Sequence, residues 1–249
     1  QEILAQLKGS FDEQPTAFGT TGDGGVIELT TSRNGSWTLM LSLPKPTAEE
    51  ISGERRPWKE LLRQPRLIVA MVTAIISYAM MNFMMTAAPV AMIGCGFTKF
   101  DASWVLQWHV LAMFVPSFFT GHLIKRFGTT AILTAGVALN LVCIAIALSG
   151  VDVMHFLISM FLVGVGWNFL FTAGTTLSLK AYEPEEKDKA QGAINFCMFV
   201  VMMITSFSSG ALVTTQGWTL LNYISLIPVA LTGAAVLWYV MLDQSRKPA

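Results

Sequence analysis

Six apolar runs, at about 67–92, 103–123, 130–149, 153–178, 190–210 and 220–242, contain no Asp, Glu, Lys or Arg. A helix needs about 20 apolar residues to cross the hydrocarbon of a bilayer, and each run is long enough. A soluble core helix does not run this far without charge. The separators are short and carry turn chemistry: Gly94-Cys95-Gly96, the 121–128 stretch, Ser149-Gly150, Glu183-Pro184 and Gln216-Gly217. The runs therefore predict an all-α polytopic membrane protein with six transmembrane helices and the lipid bilayer as its solvent.

Orientation follows from Lys and Arg between the runs. Arg55, Arg56, Lys59, Arg63 and Arg66 precede the first, and Lys99 alone follows it. Lys125 and Arg126 lie between the second and third, and the next separator has none. Lys180, Lys187 and Lys189 precede the fifth, none precede the sixth, and Arg246 and Lys247 close the chain. The alternation is unbroken and predicts that both ends of the membrane domain lie in the cytoplasm.

Residues 1–43 read differently. A short helical pattern at Glu2–Leu7 is followed by strand-like runs at Val26–Thr31 and Trp37–Leu41, separated by Arg33-Asn34-Gly35-Ser36. Asn-Gly between such runs predicts a β-hairpin. This small soluble segment, helix plus hairpin, is expected to be truncated. The chain opens on Gln1 without a charged-then-apolar leader, so a fragment, or a fusion joined near Leu43-Pro44, is expected. Residues 44–66 form a basic linker in which Pro57–Gln64 reads as an interfacial helix carrying Trp58, and 67–249 form the membrane domain.

Only 13% of residues are charged and the formal net charge is zero, which argues against a nucleic-acid partner. Cys95, Cys143 and Cys197 are too scattered for a disulfide framework or a metal site. No metal-type histidine pair, Gly-x-Ser-x-Gly or phosphate loop occurs in the runs, so neither catalytic residues nor a cofactor are expected. A membrane enzyme using His109 or His155 lacks a paired acid or nucleophile. Met80/Met84 and Met81/Met85 have i, i+4 spacing, and thioethers bind Cu(I), but no His or Cys cluster joins them.

With no charge in the runs, chemistry falls to neutral polar groups. Tyr78 and Asn82 are one turn apart in the first run, Gln107 and His109 lie in the second, and Trp167 and Asn168 are near the middle of the fourth. Two readings stand. Each amide makes one helix–helix hydrogen bond, or Tyr78, Asn82, Gln107, Trp167 and Asn168 line a cavity for a small polar or aromatic solute, with His109 as a titratable contact.

Gly121-His122-Leu123-Ile124-Lys125-Arg126-Phe127-Gly128 resembles the loop signature of the major facilitator superfamily, Gly-x-x-x-Asp-Arg-x-Gly. It matches at Gly121, Arg126 and Gly128, and it sits between the second and third runs, as in that family. Lys125 stands where the signature has Asp, so the carboxylate that would pair with a neighbouring helix is missing. The segments PWKELLRQPRLIVA, NFMMTAAPVAM and QWHVLAMFVPSFFTGHLI resemble a bacterial subgroup of the family, some of whose members are associated with riboflavin uptake. The resemblance runs from about Pro44 to the end and corresponds to the second half of a twelve-span fold. It implies a secondary transporter for a small organic solute, riboflavin-like, bound between two six-span halves. It also implies a partner: a missing N-terminal six-span half, or a second copy in a dimer. A membrane-anchored accessory or binding module without transport activity is the alternative.

Overall fold

The computed structural model describes residues 14–20, 26–31, 37–42, 57–183 and 186–244. The chain divides into two compact units, 1–54 and 55–249.

In the first unit, β1 (Gln14–Thr20), β2 (Val26–Thr31) and β3 (Trp37–Ser42) form one antiparallel sheet in the order β1-β2-β3. Thr31 pairs with Trp37 and Val26 with Ser42. β1 is a strand that the sequence reading did not anticipate. It contains Pro15 and a register shift between Pro15 and Ala17, and an edge strand is where a missing ladder donor is tolerated. The Glu2–Leu7 pattern, the Asn34-Gly35 turn and most of the linker lie outside the described residues.

The second unit is helical. The interfacial helix expected over Pro57–Gln64 is reduced to α1 (Trp58–Leu61). Pro65 opens α2 (Pro65–Gly94), because the first helical position needs no backbone N–H. α3 (Lys99–Phe114) begins in a reciprocal cap: Thr98 Oγ1 accepts from the Asp101 N–H, and the Thr98 N–H donates to Asp101 Oδ2. α4 (Ser117–Phe127) continues α3 after a 42° bend at Val115-Pro116, where proline removes a ladder hydrogen bond. α5 (Thr129–Ser149) and α6 (Val153–Ser178) follow.

The 121–128 stretch is not a loop. Gly121, Lys125 and Arg126 lie on α4, and only Gly128, at φ 87° and ψ 156°, leaves the helix. Apolar Leu123, Ile124 and Phe127 carry helical spacing up to the one residue that can turn left-handed without strain.

α7 (Lys187–Gln244) is 58 residues long, interrupted at Gly217 with φ 80° and ψ 178°. Its two arms, 187–216 and 218–244, flank the same turn of α2. Ser209 Oγ donates to the Phe83 carbonyl at 2.6 Å, and Ser225 Oγ lies 3.8 Å from Met84 Sδ. Residues 209 and 225 would be roughly 24 Å apart along a continuous helix, so the chain doubles back at Gly217. By length and apolarity alone, four helices qualify as membrane spans among the described residues, and the bent α3–α4 pair makes a fifth.

α6 is the hub of the bundle. A Cβ added at Gly164 would lie 2.9 Å from the His109 carbonyl of α3, one at Gly166 2.6 Å from Asn140 Nδ2 of α5, and one at Gly174 2.5 Å from Thr73 Oγ1 of α2. Small residues let backbones approach where lipid supplies no hydrophobic drive between helices. The main core lies between α2, α3, α5, α6 and α7, with Met84, Val105, Ile144, Phe156, Met160 and Leu221 sealed inside it.

Candidate solute site

The aromatic residues of α2 and α6 meet. Trp167 and Phe171 are one turn apart on α6 and stack at 5.4 Å with an interplanar angle of 5°. Tyr78 of α2 meets both edge-on, at 5.1 and 5.0 Å. Phe114, the last residue of α3, approaches the Trp167 ring at 6.3 Å. Met81, Met85 and Met113 pack around the group. Each such aromatic pair contributes about 0.5–1.5 kcal/mol beyond burial, so the wall is rigid, while the half-buried Tyr78 and Phe171 and the exposed Phe114 leave part of it open. The buried indole Nε1 of Trp167 has no hydrogen-bond partner among the described residues. An unpaired buried donor is costly.

The other expected contacts lie elsewhere. Asn82 Nδ2 faces three acceptors on α7: the Met202 carbonyl at 3.1 Å, Thr205 Oγ1 at 3.1 Å and Ser206 Oγ at 2.7 Å. Its donors are thus spent on tying α2 to α7. Asn168 Nδ2 donates to the Met113 carbonyl at 2.8 Å and to Ser117 Oγ, and its Oδ1 accepts from Thr120 at 2.6 Å. Gln107 is exposed on an open groove of about 580 Å³ along α3, with Ser103, Leu106, Val110 and Leu111, and is not part of the aromatic group.

His109 does not share that open face. Two residues from Gln107 is more than half a helical turn, and His109 is fully buried between α3 and α6, its Nδ1 2.7 Å from the Met160 carbonyl. A carbonyl only accepts, so Nδ1 carries the proton and Nε2 is left as a buried acceptor without a partner among the described residues. The spaced methionines separate too: Met80 and Met84 are in the main core, Met81 beside Trp167. His155 lies 3.6 Å from Asp152 at the start of α6.

Sequence reading missed Phe171 and Phe114. Phe171 was legible as the i+4 neighbour of Trp167. Phe114 is brought in only by the bend that ends α3.

Residues 69–249 match the profile of the Major Facilitator Superfamily. The chain belongs to the major facilitator superfamily. It is 44% identical over 197 residues to the riboflavin transporter RfnT of Brucella anthropi, covering 78% of this chain and 49% of that protein. It is 30% identical over 182 residues to the uncharacterized MFS-type transporter YddS of Bacillus subtilis, covering 72% of this chain and 42% of that one. The chain thus spans about half the length of the curated relatives it matches. With its apolar helices, this makes it a multi-pass membrane protein of a transporter family. Within that family, Gly121, Arg126 and Gly128 fall on α4 and its C-terminal cap, with Arg126 5.2 Å from the ring centroid of Phe127.

Proposed function

We propose that residues 57–244 form a six-crossing bundle that acts opposite a second six-crossing bundle to carry a small planar aromatic solute, of the riboflavin type, across the bacterial inner membrane. The α3–α4 pair makes one bent crossing, and the arms of α7, folded at Gly217, make two. The Lys and Arg distribution supports an orientation with both ends of the bundle in the cytoplasm. The observation that carries the solute class is the Tyr78–Trp167–Phe171 wall with its unpaired indole N–H. The similarity to a protein named as a riboflavin transporter supports the same class.

In this reading Tyr78 and Trp167 touch the solute, and Phe171 and Phe114 shape the slot. Asn82 and Asn168 hold the helices that present these rings. The second bundle supplies the opposite wall, since transport by alternating access needs two bodies moving about a central site.

The test is uptake of labelled riboflavin into proteoliposomes containing the full chain, alone and with the N-terminal half of the Brucella relative. Uptake with the complementary half, competed by unlabelled riboflavin, is expected. Uptake in neither preparation would discard the transport reading in favour of a membrane-anchored module.

A further inference from the structure

We infer that Asn168 is a positioning residue, the clamp that sets the bend between α3 and α4 and so aligns the aromatic wall with the cytoplasmic basic end of α4. Three observations converge on it. First, the bend falls at Val115-Pro116, where proline cannot continue the ladder. Helix ends leave carbonyls in need of donors, and in a membrane a neighbouring helix must supply them. Second, Asn168 is 2% exposed and reaches both sides of the break. It donates to the Met113 carbonyl of α3 and the Ser117 hydroxyl of α4, and it accepts from Thr120 of α4, whose hydroxyl also lies 2.8 Å from the Pro116 carbonyl. One side chain thus bridges two arms that no continuous helix joins.

Third, the clamp adjoins the solute wall. Asn168 follows Trp167 in sequence, and Met113 and Phe114, the last residues of α3 before the break, both pack on the Trp167 ring. A ring moved by solute therefore pushes on the α3 side of the break, while the clamp transmits the displacement to α4, which carries Lys125 and Arg126 at its far end. α4 is 11 residues long, roughly 16 Å, so a 42° bend displaces its tip by roughly 11 Å from the line of α3. That is the movement that straightening the bend would produce. The clamp stands on geometry alone, whereas its link to solute rests on the transport reading.

Electron–electron distance measurements on the full chain in nanodiscs separate the two. Spin labels at Lys125 and Lys180, both exposed, report the α4 tip against the end of α6. Labels at Lys99 and Val151 report the opposite end of α3 against the start of α6, where Gly164 and His109 keep the helices together. The native cysteines are replaced first. With Asn168 intact, the Lys125–Lys180 distribution is expected to be narrow. Asn168→Leu and Asn168→Asp, which both lose the two N–H donors, should shift or broaden it by several ångströms, up to about 11 Å, with the Lys99–Val151 pair unchanged. Distributions unchanged in both variants would overturn the clamp. So would equal broadening of both pairs, which is the result expected of a merely structural residue. With the N-terminal half of the Brucella relative reconstituted beside the chain, added riboflavin should shift the Lys125–Lys180 distance in the Asn168 protein and not in Asn168→Leu. If the variants move α4 but riboflavin never does, the clamp holds and the solute link fails.

Discussion

Gly166→Ala tests the α5–α6 contact most sharply, because its effect should change sign with one other residue. The new Cβ would lie 2.6 Å from Asn140 Nδ2 and 3.2 Å from Asn140 Cγ, so the amide must move. Moving it breaks the bond by which Asn140 Nδ2 donates to the Gly136 carbonyl at 2.8 Å, in a site where Asn140 is 2% exposed. Overpacking costs about 1–3 kcal/mol, and the lost intramembrane hydrogen bond adds about 0.6 kcal/mol. Replacing glycine by alanine in a helix returns up to about 1 kcal/mol, leaving a net destabilisation of about 2 kcal/mol. Cys143 of α5 is fully buried three residues from Asn140. With Cys95 and Cys197 replaced, its modification rate by a thiol reagent reports opening of this interface. Gly166→Ala should accelerate labelling roughly thirtyfold, at about 1.4 kcal/mol per factor of ten. In an Asn140→Ala background the obstructing amide is gone, and the same glycine replacement should leave the rate unchanged or slow it. Equal acceleration in both backgrounds, or none in either, would refute the reasoning.

Three further outcomes are expected. Gly217→Ala meets no atom within 4 Å among the described residues but forces an alanine to φ 80°, so it should destabilise by about 1–2 kcal/mol, and Gly217→Asn by less, measured by thermal unfolding in detergent. A cysteine at Lys187 should react with an impermeant reagent only from the cytoplasmic face of vesicles, and one at Lys99 only from the opposite face; labelling of Lys187→Cys from outside would reverse the assigned orientation. Asp101 has its carboxyl held below the ordinary carboxylate value by hydrogen bonds from the Thr98 hydroxyl and backbone. Because the folded state favours the charged form, this cap stabilises the start of α3 above the usual pKa near 4 and is lost as pH falls through the lower folded value. Protection of the amides at 99–102, relative to their intrinsic exchange rates, should therefore fall on acidification in that range, and in Thr98→Ala it should already be low at neutral pH.

The contrast between what the sequence displayed and what it concealed is physical. Long uncharged runs declare membrane helices because no other fold hides so much apolar chain, and Pro116 and Gly217 mark the breaks because each restricts or frees φ in a way no neighbour can mask. Which side of a run faces inward is another matter. A helix apolar all round has no polar face to orient it, so Gln107 and His109 read alike in sequence, although one is exposed and the other sealed against Met160. Asn82 and Asn168 are legible in sequence as polar groups needing partners, but whether the partner is a solute or another helix depends on residues about 120 and 50 positions away along the chain. Tyr78 and Trp167 stood among the candidate solute contacts; that they touch each other follows from the close approach of α6 to α2 at Gly174, and Phe114 joins them where α3 ends at the bend. β1 escaped notice because Pro15 and Gly19 interrupt the strand pattern.

The central claim is that solute is read by the aromatic wall on α2 and α6. Riboflavin uptake by the chain with its complementary half should be compared for Trp167→Ala and for Trp104→Ala, whose ring lies in an apolar groove of about 380 Å³ with Trp108 and Phe161. Loss of one stacking partner worth about 0.5–1.5 kcal/mol predicts a KM raised roughly two- to twelvefold for Trp167→Ala, with Trp104→Ala unchanged. An unchanged KM for Trp167→Ala, or an equal rise in both, would contradict the account.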